Sequence, residues 1–195
     1  MLSRMKKFDD LFKDHQALII DENFATETKL IVDFKQPDNN QDWFKFIYID
    51  GILTIQSDYG HSMFTWWDKK LSIKWISQRE DEGYILEKCL CSSVNSIGEP
   101  FKEYDESEAK KAYSKMVEDI RANYAVKPRD FPRFDCSDYF EMINSVNRLY
   151  SFCNDYDISE EYINTYMGVI TSRRFFVQWA ALRKAIGQLV NKGIL

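Results

Sequence analysis

Histidines, thiols and paired carboxylates are the groups that move protons or attack carbon near neutral pH, and this chain offers few arrangements of them. Only His15 and His61 are present. His61 follows Asp58-Tyr59-Gly60, so Asp58 could orient its imidazole beside the Tyr59 phenol, making Asp58, Tyr59 and His61 the one candidate pocket of a small enzyme. The plainer reading, preferred here, is a turn in which Asp58 bonds back to the backbone and Gly60 takes a positive φ. Of the four cysteines, Cys89, Cys91, Cys136 and Cys153, three (Cys89, Cys136 and Cys153) lie on or beside apolar faces, where packing explains them. Cys89-x-Cys91 has no second close pair, so no metal is expected. No phosphate-cradling glycine loop, Gly-x-Ser-x-Gly elbow or His-Glu-x-x-His string occurs, and no spacing singles out a glycosidase carboxylate pair. No catalytic residue and no cofactor is assigned.

Carboxylates concentrate at 80–82, 103–108 and 155–161. The last stretch, DYDISEE, holds Asp155, Asp157, Glu160 and Glu161 around Tyr156 and has no basic residue. Helix caps and solvated turns account for most such clusters. Read functionally, Asp155, Tyr156, Asp157, Glu160 and Glu161 form an acidic surface suited to a basic nucleic-acid channel on another protein, with complementary potential speeding association. The net charge of -5 argues against the chain itself tracking phosphates, so no direct nucleic-acid partner is expected. Trp43, Trp66, Trp67 and Trp75 fall in or near strands and could stack bases, but without a basic groove they read as core. Arg173 and Arg174 open a helix where cations oppose the dipole, and are expected to find carboxylate partners inside the fold rather than an anion.

These side chains need a scaffold, and one segment specifies it twice over. Asp50-Gly51 suits a type I′ turn, and folding about it pairs Tyr48 with Leu53, Phe46 with Ile55 and Phe44 with Ser57 on one mostly apolar face. Ile47 with Thr54 and Lys45 with Gln56 make the other face. A strand at Lys29–Lys35 and another from Ser62 to Trp67 extend this to a four-stranded meander. Ahead of it, Phe8, Leu11 and Phe12 suggest a short helix from Met5 to Phe12. After Trp67 the period becomes helical: Leu71, Trp75 and Ile76 share one face, and Ile85, Leu86, Cys89 and Leu90 another. Residues 92–104 read as a loop. A helix from Glu106 to Tyr124 is capped by Asp105, and one from Ser137 to Cys153 buries Phe140, Ile143, Val146, Leu149, Tyr150 and Cys153. The last, Arg173 to Asn191, carries a seam from Phe175 to Leu189 that could serve a homodimer of a self-associating structural protein.

Strands first and helices after define an α+β class: an N-terminal antiparallel meander packed against C-terminal helices. A single domain, 1–195, is expected, with 125–135 a hinge if sub-lobes 1–124 and 136–195 exist. Hydrophobic content of 45% with 7 Gly and 4 Pro fits a globule, not a disordered chain. The longest apolar runs are a few residues, and the first 13 residues hold no apolar signal core, so no membrane contact and a cytoplasmic address are expected.

The string GILTIQSDYGHSMFTW, Gly51 to Trp66, resembles a family of proteins encoded by bacteriophages and prophages, with its glycine-initiated strand, Asp-Tyr-Gly turn and closing tryptophan. SIKWISQREDEGYILEKC, with Tyr84, Ile85, Leu86 and Lys88, and the late RRFFVQWAAL are similar to that family's later helices. Ile52 before Leu53 and the doubled Trp66-Trp67 depart from its pattern. The resemblance implies a mobile-element accessory protein in a bacterial host cytoplasm, and the lack of a nucleophile-base or metal constellation points to a non-enzymatic one. By analogy with such genes, its partner would be a bacterial defence protein or effector complex, such as a CRISPR-Cas component, which it binds and inhibits.

Overall fold

Asp50 and Gly51 both hold positive φ, 47° and 87°, as a type I′ turn requires. Only glycine fits the second place, since a Cβ there would sit 2.7 Å from the Trp66 carbonyl oxygen. The computed structural model describes residues 2–8, 10–39, 41–93 and 99–195. Around this turn runs a six-stranded antiparallel sheet in strict sequence order: β1 Gln16–Ile19, β2 Lys29–Lys35, β3 Phe44–Ile49, β4 Ile52–Ser57, β5 Gly60–Thr65 and β6 Cys89–Ser92. A two-stranded sheet pairs β7 Lys102–Tyr104 with β8 Val169–Thr171. The helices are α1 Leu2–Met5, α2 Ile73–Ser77, α3 Glu82–Glu87, α4 Glu106–Asn123, α5 Tyr139–Asp155 and α6 Arg173–Asn191. The class is α+β, as expected.

The hairpin register is the expected one: Tyr48 faces Leu53, Phe46 faces Ile55, Phe44 faces Ser57, Ile47 faces Thr54 and Lys45 faces Gln56. The meander has six strands, not four. β1 and β6, four residues each, were too short to show alternation; the face expected to run helically through Cys89 and Leu90 breaks after Glu87 and becomes β6. The helix expected at Met5 to Phe12 ends at Met5, continues as a 3₁₀ turn over Lys6–Phe8, and leaves Phe12 buried among His15, Phe34 and Phe44. The expected loop at 92–104 contains β7, while 94–98 lie outside the described residues.

Contacts divide the chain into two compact units, Met1–Val94 with Ser172–Leu195, and Asn95–Thr171, so the boundaries fall elsewhere than 125–135. In the first, the sheet unit, the inner face carries Leu30, Val32, Phe34, Phe44, Phe46, Tyr48, Leu53, Ile55 and Phe64, all buried. α6 covers it: Trp179 meets Phe64 edge-on at 5.6 Å, and eleven of the helix's 19 residues are buried. The seam Phe175 to Leu189 is thus consumed by the chain's own core and is not available as a dimer face. α6 also closes the β1 edge, where Gln188 accepts from the Ala17 N–H (2.8 Å) and donates to the His15 carbonyl (2.7 Å), occupying backbone groups that would otherwise recruit another strand.

In the second unit, inserted in the chain between β6 and α6, Asp105 and Asp138 cap α4 and α5 through the Glu108 and Glu141 N–H groups. Met116, Ile120, Met142, Val146, Leu149 and Phe152 fill its core. Phe140 and Ile143, expected on the buried stripe, are exposed at 71% and 36%, because the buried stripe of α5 runs instead through Met142, Ser145, Val146, Leu149, Phe152 and Cys153.

Candidate functional site

The acidic surface is built by the way α5 stops. Tyr156 caps the helix, Asp157 turns to φ 53°, and the Ile158 N–H reaches back to the Cys153 carbonyl at 2.8 Å. Burial of Ile158 drives the reversal, so the polar neighbours must face outward. The Ser159 N–H then donates to the Tyr124 hydroxyl (3.3 Å), and a 3₁₀ turn over Glu160–Tyr162 returns the chain to the core at Ile163. Asp155, Asp157, Glu160 and Glu161 are all exposed, and none has an ion pair among the described residues. Tyr156 is 47% exposed and rests on the Phe152 ring at 4.7 Å.

This placement is not one that folding favours. Asp155 and Asp157 occupy the negative end of the α5 dipole, and the last turn has no basic residue to offset them. Burial pushes the neighbouring Tyr162 phenol above its ordinary pKa, and Tyr124, Glu161 and Asp119 push it further. The charge is segregated on a larger scale too. The inserted unit holds 15 acidic against 9 basic residues, whereas the sheet unit is nearly balanced at 16 against 17.

The candidate pocket of Asp58, Tyr59 and His61 is split by the sheet. Asp58 and Tyr59 are the two-residue turn between β4 and β5. The Asp58 carboxylate accepts from the Trp43 N–H at 3.3 Å. The Tyr59 ring stacks on Phe44 (5.7 Å) at the end of the inner face, and its hydroxyl donates to the Asp42 carboxylate; burial and that contact push its pKa up to about 12. His61, the register partner of Gln56, stands on the opposite, outer face. No hydrogen bond or ion pair joins Asp58 to His61 among the described residues. Gly60, at φ 97°, is needed because a Cβ would meet Ser93 Oγ at 2.5 Å.

His15 is buried between Phe12 and Phe34, with Nε2 on the Asp42 carbonyl at 2.9 Å. Burial raises the pKa of Cys89 to about 11 and also pushes up Cys136 and Cys153. Arg173 lies over the Phe8 ring, and Arg174 donates to the Ser93 carbonyl (3.2 Å), a backbone partner rather than the expected carboxylate. Trp66 is buried and Trp67 is 93% exposed, so the doubled pair divides between core and solvent.

Asp42, the acceptor for Tyr59, was missed, since nothing in its local sequence marks it. So was the company of His61: Met63 and Cys91 share its face, and the four-residue strand that brings Cys91 there is too short to mark itself in the sequence. Among the described residues no group of three or more His, Cys, Asp or Glu side chains is placed to hold a metal ion, and no helix is long and apolar enough to cross a membrane. Comparison of the chain with protein-family models, curated proteins and solved structures found no match.

Proposed function

We propose that this chain is a non-enzymatic accessory protein of the bacteriophage kind that binds and disables a bacterial defence effector, such as a CRISPR-Cas complex, by docking its acidic inserted unit on the effector's basic nucleic-acid channel. The observation that carries the reading is the exposed carboxylate group Asp155, Asp157, Glu160 and Glu161, without an ion pair among the described residues, around a half-exposed Tyr156 on a turn that costs helix stability. Carboxylates kept at a helix's negative end, with no ion-pair partner among the described residues, suit a cationic surface supplied from outside. A rigid aromatic among them offers the kind of anchor that interfaces favour. The resemblance of Gly51 to Trp66 to phage proteins supports the biological setting. The opposed faces of Tyr59 and His61 weigh against the pocket reading.

The test is inhibition of target-DNA cleavage by purified CRISPR effector complexes. The expected result is inhibition at stoichiometric ratios, competitive with DNA, and weakening as salt rises through about 0.15 M, where the screening length shrinks to about 8 Å. Reversing Asp155, Glu160 and Glu161 to lysine should abolish it, while His61→Ala should leave it intact. Inhibition at catalytic ratios, loss of it in His61→Ala, or no association with any effector would each overturn the proposal.

A further inference from the structure

The outer face of the sheet brings together three soft donors. On β5, His61 and Met63 stand two residues apart and therefore on one face, and Met63 is the register partner of Cys91 on β6. Direct cross-strand partners hold their Cβ atoms about 5 Å apart and diagonal ones about 7 Å, distances over which a thiolate, a thioether and an imidazole can meet at one ion. All three residues line a single depression of about 280 Å³, with Thr54 and Ser93 at its walls. His61 and Cys91 are exposed and Met63 half-buried, so the depression opens to solvent.

Its frame is fixed from several directions. The Ser93 N–H donates to the His61 carbonyl (2.8 Å), and the His61 N–H donates to Ser93 Oγ (2.7 Å). Arg174 holds the Ser93 carbonyl, and from the inner side Gln178 donates to the Gly60 carbonyl (3.1 Å) while accepting from the Ser62 hydroxyl (2.7 Å). Donor side chains carried on strands tied this way keep their spacing before any ligand arrives.

We infer that His61, Met63 and Cys91 form a three-coordinate site for a soft monovalent metal ion, cuprous copper. Thiolate and thioether donors select Cu(I), and an oxygen-poor set lacks what magnesium or calcium requires. Binding releases the Cys91 thiol proton to solvent and leaves the copper in its cuprous state, so no electron is transferred. One thiolate and one Cu(I) sum to zero charge, which suits a depression walled by Met63 and Thr54. The site lies in the sheet unit and stands independently of the acidic docking surface.

The experiment is anaerobic titration of the whole chain with Cu(I) against a chromogenic cuprous chelator, alongside the ¹³C-methyl resonance of Met63. Wild type is expected to withdraw one equivalent and to shift the Met63 methyl. Cys91→Ser should lose binding. His61→Ala and Met63→Leu should each weaken it by at least the roughly tenfold that losing even a supporting contact costs a metal site. Cys89→Ser should bind as wild type. No competition with the chelator would overturn the inference. So would unchanged affinity in both His61→Ala and Met63→Leu, an unmoved Met63 methyl, or equal loss in Cys89→Ser.

Discussion

Gln178 is the only polar side chain that α6 buries, and the bonds it makes decide what its removal must cost. It accepts from the Ser62 hydroxyl at 2.7 Å and donates to the Gly60 carbonyl at 3.1 Å. The Gly60 carbonyl keeps a second donor in Ser57 Oγ (2.9 Å), so Gln178→Leu strands one group, the Ser62 hydroxyl, at 3% exposure. A buried orphan of this kind costs about 1–3 kcal/mol. Ser62→Ala strands Gln178 Oε1 instead and falls in the same range. Removing both leaves no orphan, so the double variant should be more stable than either single one, with a coupling energy of about 2–3 kcal/mol. The assay is urea unfolding followed by tryptophan fluorescence. All five tryptophans lie in the sheet unit, so the signal reports that unit alone. With an m-value of about 2 kcal/mol per M, each single variant lowers the midpoint by about 1 M. Additivity of the two substitutions within about 0.5 kcal/mol would refute the reasoning.

Gly51→Ala forces a Cβ against the Trp66 and Asp68 carbonyls at φ 87°, and should cost about 2–3 kcal/mol in the same assay, whereas Asp50→Gly should be close to neutral. Alkaline pH supplies a second check. Tyr48 and Tyr59 are both pushed up to about 12, chiefly by burial, so the folded state prefers the neutral phenols; their stabilisation is whole below pH 10, the unfolded value, and is lost as pH climbs through 12. Urea midpoints should fall over that window, and fall less in the Tyr48→Phe/Tyr59→Phe variant.

What the sequence revealed and what it hid follow from the range of the interactions involved. The β3–β4 register was readable because Asp50-Gly51 and the alternation of Phe44, Phe46 and Tyr48 constrain it locally. The three long helices were readable to within a residue or two because apolar spacing marks them and the cap Asp105 fixes the start of α4, while the cap Asp138 sets α5 two residues later than the apolar pattern places it. β1 hid because Ala17, Leu18, Ile19 and Ile20 are apolar without a break, and only tertiary context decides which side is buried. β6 hid behind a helical phase that Ile85 and Leu86 carry for two residues before the chain extends. The split between Tyr59 and His61 is a matter of parity. Starting β5 at Gly60 sets His61 opposite Gln56, while the turn lets Tyr59 fold over Phe44, and a strand begun at Ser62 conceals this. The insertion was invisible to periodicity because its limits are set by contacts distant in sequence, although the shift to 15 acidic against 9 basic residues marks its extent.

That insertion makes the order of assembly peculiar, since the sheet's inner face is complete by residue 92 while the helix that covers it begins at 173. Phe64 loses the Trp179 ring that covers it, and the eleven buried residues of α6 are absent, so a fragment ending at residue 94 lacks that part of its core and should fail to fold. The two ends of the gap nevertheless meet. In the sheet unit Arg174 Nη2 lies 3.2 Å from the Ser93 carbonyl, and within the inserted unit β7 pairs with β8 so that Lys102 faces Thr171. Units whose entry and exit are adjacent can be excised without stretching the remainder. A chain joining residue 93 to residue 172 through a short Gly-Ser linker should therefore unfold cooperatively by tryptophan fluorescence and retain cuprous binding. It should lose effector inhibition, because the carboxylates 155–161 have gone. If residues 1–94 fold alone while the joined chain does not, α6 is not what completes the sheet; if the joined chain still inhibits, docking belongs to the sheet unit and the acidic turn plays no part in it.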